Sequence, residues 1–416
     1  MARTKFPTIV GVNQLADETS MVAEDKMFVR KAANVDIDSI GNVSRRKGQQ
    51  QLLAGSGFHS IYSAKRGWLL VCQKHQLGIF DPDAAIFTPL ANMDDAYKTS
   101  YTEMNGNLYA MNPSFACMFK PDTYEAGPLG VELPNVTPQF TATYTKGSLL
   151  AGRYGLTYSV VDPDGEESGL GPIVELELEE QGAIVGMYFT LMAGYRYRLY
   201  MTTVNGEELY QVAEFDADTV SYDIMEHEGG RQPATKYLQQ PPNGHIIRAF
   251  NSRLLIGSTD FVYFTEAFRP HLHDAAHGFV PITGVALMVE ALTEGVFIGD
   301  RRGVRFYRGK DPEQWEVSEA SPDKVVFNTS AVVPGSFFTG PIAQFDSVVV
   351  WLTNRGYQVG LPTGEVVKLN AGQVDLPHYI QGCTAYTIRD GRKQLVSPVN
   401  SNELAHAGVA LDSSII

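Results

Sequence analysis

The chain has 416 residues, 44% hydrophobic and 19% charged, an ordinary globular composition that argues against disorder. Its formal net charge of −14 argues against a protein that grips nucleic acid, because affinity for a duplex comes largely from Lys and Arg neutralising phosphates. Such a surface suits a wall past which DNA slides. With 39 Gly, 22 Pro, 20 Tyr and 21 Phe, the composition favours many short strands joined by turns.

The N-terminal stretch "MARTKFPTIVGVNQLADE" lacks a continuous apolar run, so no signal peptide is expected. No run of 18 apolar residues occurs, so no membrane-spanning helix is expected. Cys72, Cys117 and Cys383 each lie in an apolar strand-like run, which predicts three buried, reduced thiols and a cytoplasmic origin.

Residues 18–31, "ETSMVAEDKMFVRK", predict a short helix with Asp17 as its cap. A hairpin follows. "NVDI" and "NVSR" flank "DSIG", where Asp38 and Gly41 suit the first and fourth places of a type I turn. The hairpin ends in the basic run Arg45, Arg46, Lys47 before Gly48. Basic residues at a hairpin end form either a plain surface turn or a contact with an acidic neighbour, including a second copy of the chain.

A repeat then appears. "LLVCQKHQLGIFDPD" from Leu69 and "LYAMNPSFACMFKPD" from Leu108 superpose at an offset of 108 − 69 = 39, which brings Phe80 onto Phe119 and Asp83 onto Asp122. Each copy is an apolar strand, a polar turn, a second apolar strand and a Pro-Asp breaker. The theme returns at 253–265 and 295–309, offset by 42, and again at 347–360 and 383–397. Hairpins recurring at roughly 40 residues match β-propeller blades, and about five to seven blades are expected. A β-sandwich or an irregular β-rich chain is the alternative.

The period breaks at 134–230. "VELELE" alternates Val174, Leu176 and Leu178 inward with glutamates outward, and Asn205-Gly206 marks a hairpin tip. This segment predicts a seven-stranded β-sandwich inserted between propeller parts at 1–133 and 231–416. Gly- and Pro-rich connections bound it on both sides.

Few candidate sites emerge. No phosphate-binding glycine loop, nucleophile elbow or HExxH occurs. "HLHDAAHG" places His271, His273, Asp274 and His277 together, a weak metal pattern without a fourth ligand elsewhere. "DPDGEE" holds Asp162 and Asp164 but lacks the remaining ligands of a calcium loop, so a turn is expected. No enzyme activity, cofactor or metal is expected.

The N-terminal residues resemble a family of bacteriophage structural proteins. Gly11, Val12, Asn13, Ala33, Asn34, Val35, Asp36, Gly41, Arg45, Arg46 and Gly48 fit its pattern of Gly-Val-Asn, then Ala-x-Asn-Val-Asp, a turn, and Arg-Arg-x-Gly. The resemblance is to tail nozzle or tail hub proteins of short-tailed phages, and it implies an all-β chain: a β-propeller interrupted by a fibronectin-III-like sandwich. It further implies a homohexameric ring in the virion tail, below the portal and its adaptor, that carries fibres or spikes and lets DNA pass without specific binding. Asn34, Asp36, Arg45, Arg46 and Gly48 become candidate assembly residues. The alternative expectation is a phage tail protein that binds or cleaves a host-surface glycan.

Overall fold

A computed structural model describes residues 7–23, 26–37, 41–46, 51–64, 67–120, 125–187, 193–369, 372–389 and 392–400. The chain is all-β: among the described residues only strands and short 3-10 turns occur.

Five four-stranded antiparallel meanders carry the repeat. Sheet I is Phe58–Ser63, Leu69–Gln73, Gln76–Asp81 and Ile86–Asn92. Sheet II is Ser100–Met104, Asn107–Asn112, Phe115–Phe119 and Ala126–Pro128. Sheet III is Ile246–Phe250, Arg253–Gly257, Thr259–Phe264 and Phe279–Val285. Sheet IV is Met288–Leu292, Gly295–Asp300, Gly303–Arg308 and Glu316–Ser321. Sheet V is Ala331–Pro334, Ser347–Thr353, Gly356–Gly360 and Val366–Lys368. In each sheet the repeated hairpin forms the two middle strands, and flanking segments supply the outer two. The sixth hairpin, Ala385–Arg389 with Arg392–Val396, is a two-stranded sheet beside sheet V, where Tyr386 meets Phe337 and Leu395 joins the core.

The sheets stack because both faces of their middle strands are apolar and must be covered. Leu70, Cys72 and Leu77 of sheet I pack on Tyr101, Leu108 and Phe119 of sheet II. Tyr109 and Met111 of sheet II pack on Ile247, Leu254 and Ile256 of sheet III. Phe297 of sheet IV lies 5.7 Å from Trp351 of sheet V and 4.7 Å from Phe306, centroid to centroid. All three rings are fully buried, and burying such a side chain stabilises by about 1.5–3 kcal/mol.

The insert at 134–230 is two packed sheets of seven strands in all. One holds Gln139–Thr143, Ala183–Met187 and Ser221–Ile224, and the other holds Gly152–Val161, Val174–Leu178, Arg196–Thr202 and Leu209–Asp216. Tyr154, Leu156, Tyr158, Ile184, Tyr197 and Leu199 fill the space between them. Val174, Leu176 and Leu178 do face inward and Glu175 and Glu177 outward. Asn205 takes φ +56 at the hairpin tip. The loop after Val161 folds back over the second sheet and ties the insert to the meanders through Lys120 to Asp164 (2.5 Å), while His271 Nδ1 lies 3.3 Å from Glu166 without a hydrogen bond.

Two expectations fail. Residues 18–31 form a 3-10 turn at Glu18–Ser20 and the strands Val22–Ala23 and Lys26–Val29, not a helix. Asp17 makes no side-chain cap bond, and Met27, Phe28 and Val29 find partners in a parallel pairing with Thr8–Val12, which a short isolated helix cannot match. Cys72 and Cys117 are buried, but Cys383 is exposed, because it lies just outside the strands of the sixth hairpin.

Candidate assembly surface

The N-terminal segment is built mainly by pairing within itself. Asn13 Oδ1 accepts from the backbone N–H groups of Leu15 (3.1 Å) and Ala16 (3.0 Å), fixing the turn after the first strand. Arg30 donates to the carbonyls of Gln14 (3.0 Å) and Ala16 (2.9 Å) and clamps that turn from below. The basic hairpin pairs Val35–Ile37 with Val43–Arg45. Asn34 enters it at φ +57, and its carbonyl accepts from the Arg46 N–H at 3.0 Å. Gly41 sits at φ +83 against the first strand, where a Cβ would lie 2.4 Å from Thr8 Cγ2 and 2.8 Å from the Ile9 nitrogen. Only glycine fits both the dihedral and the space.

Four of the five candidate assembly residues therefore meet in one hairpin. Asp36 Oδ1 receives Arg46 Nε at 3.2 Å, so Arg46 is engaged within the hairpin itself. Arg45 is exposed, opposite Val35. Gly48 lies outside the described residues, as does Asp38 of the turn.

This surface is unusual in its exposure. From residue 7 to 63 no described residue is buried; Ala64 is the first. Val10, Leu15, Val22 and Val43 are 42%, 53%, 50% and 49% exposed. The segment is anchored near the other end of the chain, where Gln14 N–H donates to the Gln373 carbonyl (2.7 Å) and Asp375 N–H donates to Gln14 Oε1 (3.1 Å).

The other sequence candidates resolve separately. His273 is buried with Nδ1 3.1 Å from the Phe264 carbonyl, His277 pairs with Asp274 at 3.0 Å, and His271 turns to Glu166. Among the described residues, no group of three or more His, Cys, Asp or Glu is placed to hold a metal. Asp162 Oδ1 accepts from the N–H groups of Asp164 (2.9 Å) and Glu166 (2.8 Å), the geometry of a turn.

One polar cluster escaped motif reading. Arg248 and Glu290 form a two-bond ion pair between the first strands of sheets III and IV. Ser100 of sheet II bonds Arg248 Nη1 at 2.9 Å, and Ser330, which leads into sheet V, donates to Glu290 Oε1 at 2.8 Å. Glu290 is 3% exposed. Four repeats thus meet at one buried carboxylate and its guanidinium, which reads as a staple between sheets.

No family model matches the chain, and no curated protein matches it. Among solved structures it is similar to the extracellular domain of a one-component system from B. thetaiotaomicron, at 11% identity and TM-score 0.29, covering 89% of this chain and 40% of that one. A Mitotic Checkpoint Complex structure matches at 7% identity and TM-score 0.32, over 84% of this chain and 92% of that chain. The extracellular domain of a hybrid two-component system from B. thetaiotaomicron matches at 10% identity and TM-score 0.23, over 83% of this chain and 55% of that one. Likenesses this distant carry no argument about what the chain does.

Proposed function

We propose that the chain is a structural, self-associating subunit of a bacteriophage tail, a nozzle or hub ring that extends the DNA channel. In this reading the five meanders and the sixth hairpin close into a propeller. The insert is a fibronectin-III-like module, and copies assemble side by side, as a hexamer. The portal adaptor above and fibre or spike proteins around it are its partners, DNA crosses the lumen without specific binding, and no catalysis is involved. Its place is the virion tail, assembled in the host cytoplasm.

The observation that carries the reading is the folded but unburied N-terminal segment. Small sheets without a core of their own are marginally stable in water, so a partner that covers them would stabilise them. Val10, Leu15, Val22 and Val43 present apolar surface that association would remove from water. Arg45 adds an exposed cation to a chain of net charge −14, so the remaining surface of a second copy attracts it. The sequence resemblance falls on the same segment and shares Arg45 with it. The glycan-binding alternative gains less: among the described residues of the insert, Tyr144 is the only exposed aromatic.

Arg45→Glu tests the reading more cleanly than Arg46→Glu, because Arg46 also holds Asp36 within its own hairpin. The Arg45 variant is expected to fold but to assemble poorly. Assembly equal to that of the unaltered chain would count against this surface.

A further inference from the structure

In a meander, the turn between the second and third strands and the link to the next sheet fall at the same end. At that end of sheets IV and V the charge balance departs from that of the whole chain. Arg301 and Arg302 form the turn between Gly295–Asp300 and Gly303–Arg308. Lys324 lies in the link from sheet IV to sheet V, and Asn354 and Arg355 form the middle turn of sheet V. The acidic groups here are largely consumed. Asp300 pairs with Arg305 and accepts from the Thr283 N–H. Asp323 takes Lys368 Nζ at 2.7 Å, Gln358 Nε2 at 2.6 Å and Arg355 at 3.4 Å. Six cations therefore stand against Asp300, Asp323, Glu319 and Asp375, the last beside Leu376, whose N–H donates to the Asn354 carbonyl at 3.0 Å, in a chain of net charge −14.

Lys324 is half-buried, and it lines a cavity of about 120 Å³ together with Asn354, His378 and Tyr379. Burial holds its ammonium below the usual lysine range, and the neighbouring Arg301 guanidinium depresses it further. A half-buried ammonium costs free energy that an anion in the cavity beside it would offset. Asn354, His378 and Tyr379 can each donate a hydrogen bond, and the cavity is of the size of one tetrahedral oxyanion rather than of a larger metabolite.

We propose that this cavity, lined by Lys324, Asn354 and His378 with Arg301 beside it, binds a phosphate group. The phosphate is either free or part of a nucleic-acid backbone. The proposal is independent of the ring reading, since a monomer would carry the same cavity.

Titration calorimetry of the full chain tests it, with inorganic phosphate and, separately, a short single-stranded DNA oligonucleotide, both at constant ionic strength. Phosphate is expected to bind, and Lys324→Gln is expected to weaken binding about tenfold or more, the effect of losing one charge-assisted contact. Arg301→Gln serves as a second variant should Lys324→Gln fail to fold, while Lys236→Gln, remote in the connection after the insert, should bind normally. An oligonucleotide that competes with phosphate identifies the backbone source; phosphate binding without competition identifies the free anion. No binding of either, or binding unchanged in both the Lys324 and Arg301 variants, overturns the proposal.

Discussion

Arg248 and Glu290 face each other as a fork, with Nη2 to Oε1 at 2.8 Å and Nε to Oε2 at 3.0 Å. They occupy the third position of the first strand in consecutive sheets. Because Glu290 is almost fully buried, removing its partner or removing it alone leaves a stranded charge or donor. Glu290→Ala is expected to lose about 3–5 kcal/mol of stability in urea unfolding. The joint replacement Arg248→Met with Glu290→Leu should cost far less, because both charges leave together. Equal losses in the single and double variants would show that the pair is not a unit.

Gly41 fixes the basic hairpin against the first strand. Gly41→Ala places a Cβ 2.8 Å from the Ile9 nitrogen and forces a left-handed dihedral on alanine, at about 1–2 kcal/mol for the dihedral alone. Backbone amides of Val35–Ile37 and Val43–Arg45 should then exchange faster with solvent, while those of Trp351 and its neighbours stay protected. Unchanged exchange in the hairpin would contradict the role given to this contact.

Acid should loosen the junctions between sheets. Burial lowers the pKa of His245 and of His273, against the opposing pull of their bonds to the Ala286 and Phe264 carbonyls. The unfolded chain then binds protons that the folded chain refuses, so stability is full above about pH 6.5 and falls as pH drops through that value. His59 and His227 act in the same direction. Replacing His245 and His273 by Gln should flatten the dependence of the urea midpoint on pH between about 7.5 and 5.5. A slope as steep as before would contradict this.

Tyr237 and Phe268 are 77% and 78% exposed, and each is held at positive φ, +71 and +62. An aromatic residue in the left-handed region costs about 1–2 kcal/mol without a burial gain to offset it. Phe268→Asn should therefore stabilise the isolated chain by about 1 kcal/mol, since Asn tolerates this conformation. If these rings contact a second copy, the same variant should weaken assembly. A variant that destabilises the isolated chain would contradict the strain argument.

Much of the fold was legible because the repeat is written in short apolar runs that must be covered on both faces. The hairpins at Leu69, Leu108, Arg253, Gly295 and Ser347 all stand in the middle of four-stranded sheets. The flanking strands were harder: Glu316–Ser321 is largely exposed with little apolar pattern, and Ile86–Asn92 is interrupted by Pro89 and mixes exposed with half-buried residues. The segment 18–31 misled because a helical reading ignores the distant strand Thr8–Val12 that captures it. The staple left a faint trace, since 290 − 248 = 42 is the offset that superposes Gly257 on Gly299. Its chemistry stayed hidden because a single Arg and a single Glu in separate strands form no motif. Of the assembly surface, the residue types were visible, but the lack of burial across 7–63 appears only in three dimensions.

The mass of the full chain in solution, measured by light scattering over a range of concentrations, tests the central claim most directly. The account predicts one discrete closed oligomer, about six chains, that dissociates when Arg45 is reversed to Glu. A chain that stays monomeric at every concentration, or one that grows without limit into open filaments, would contradict it.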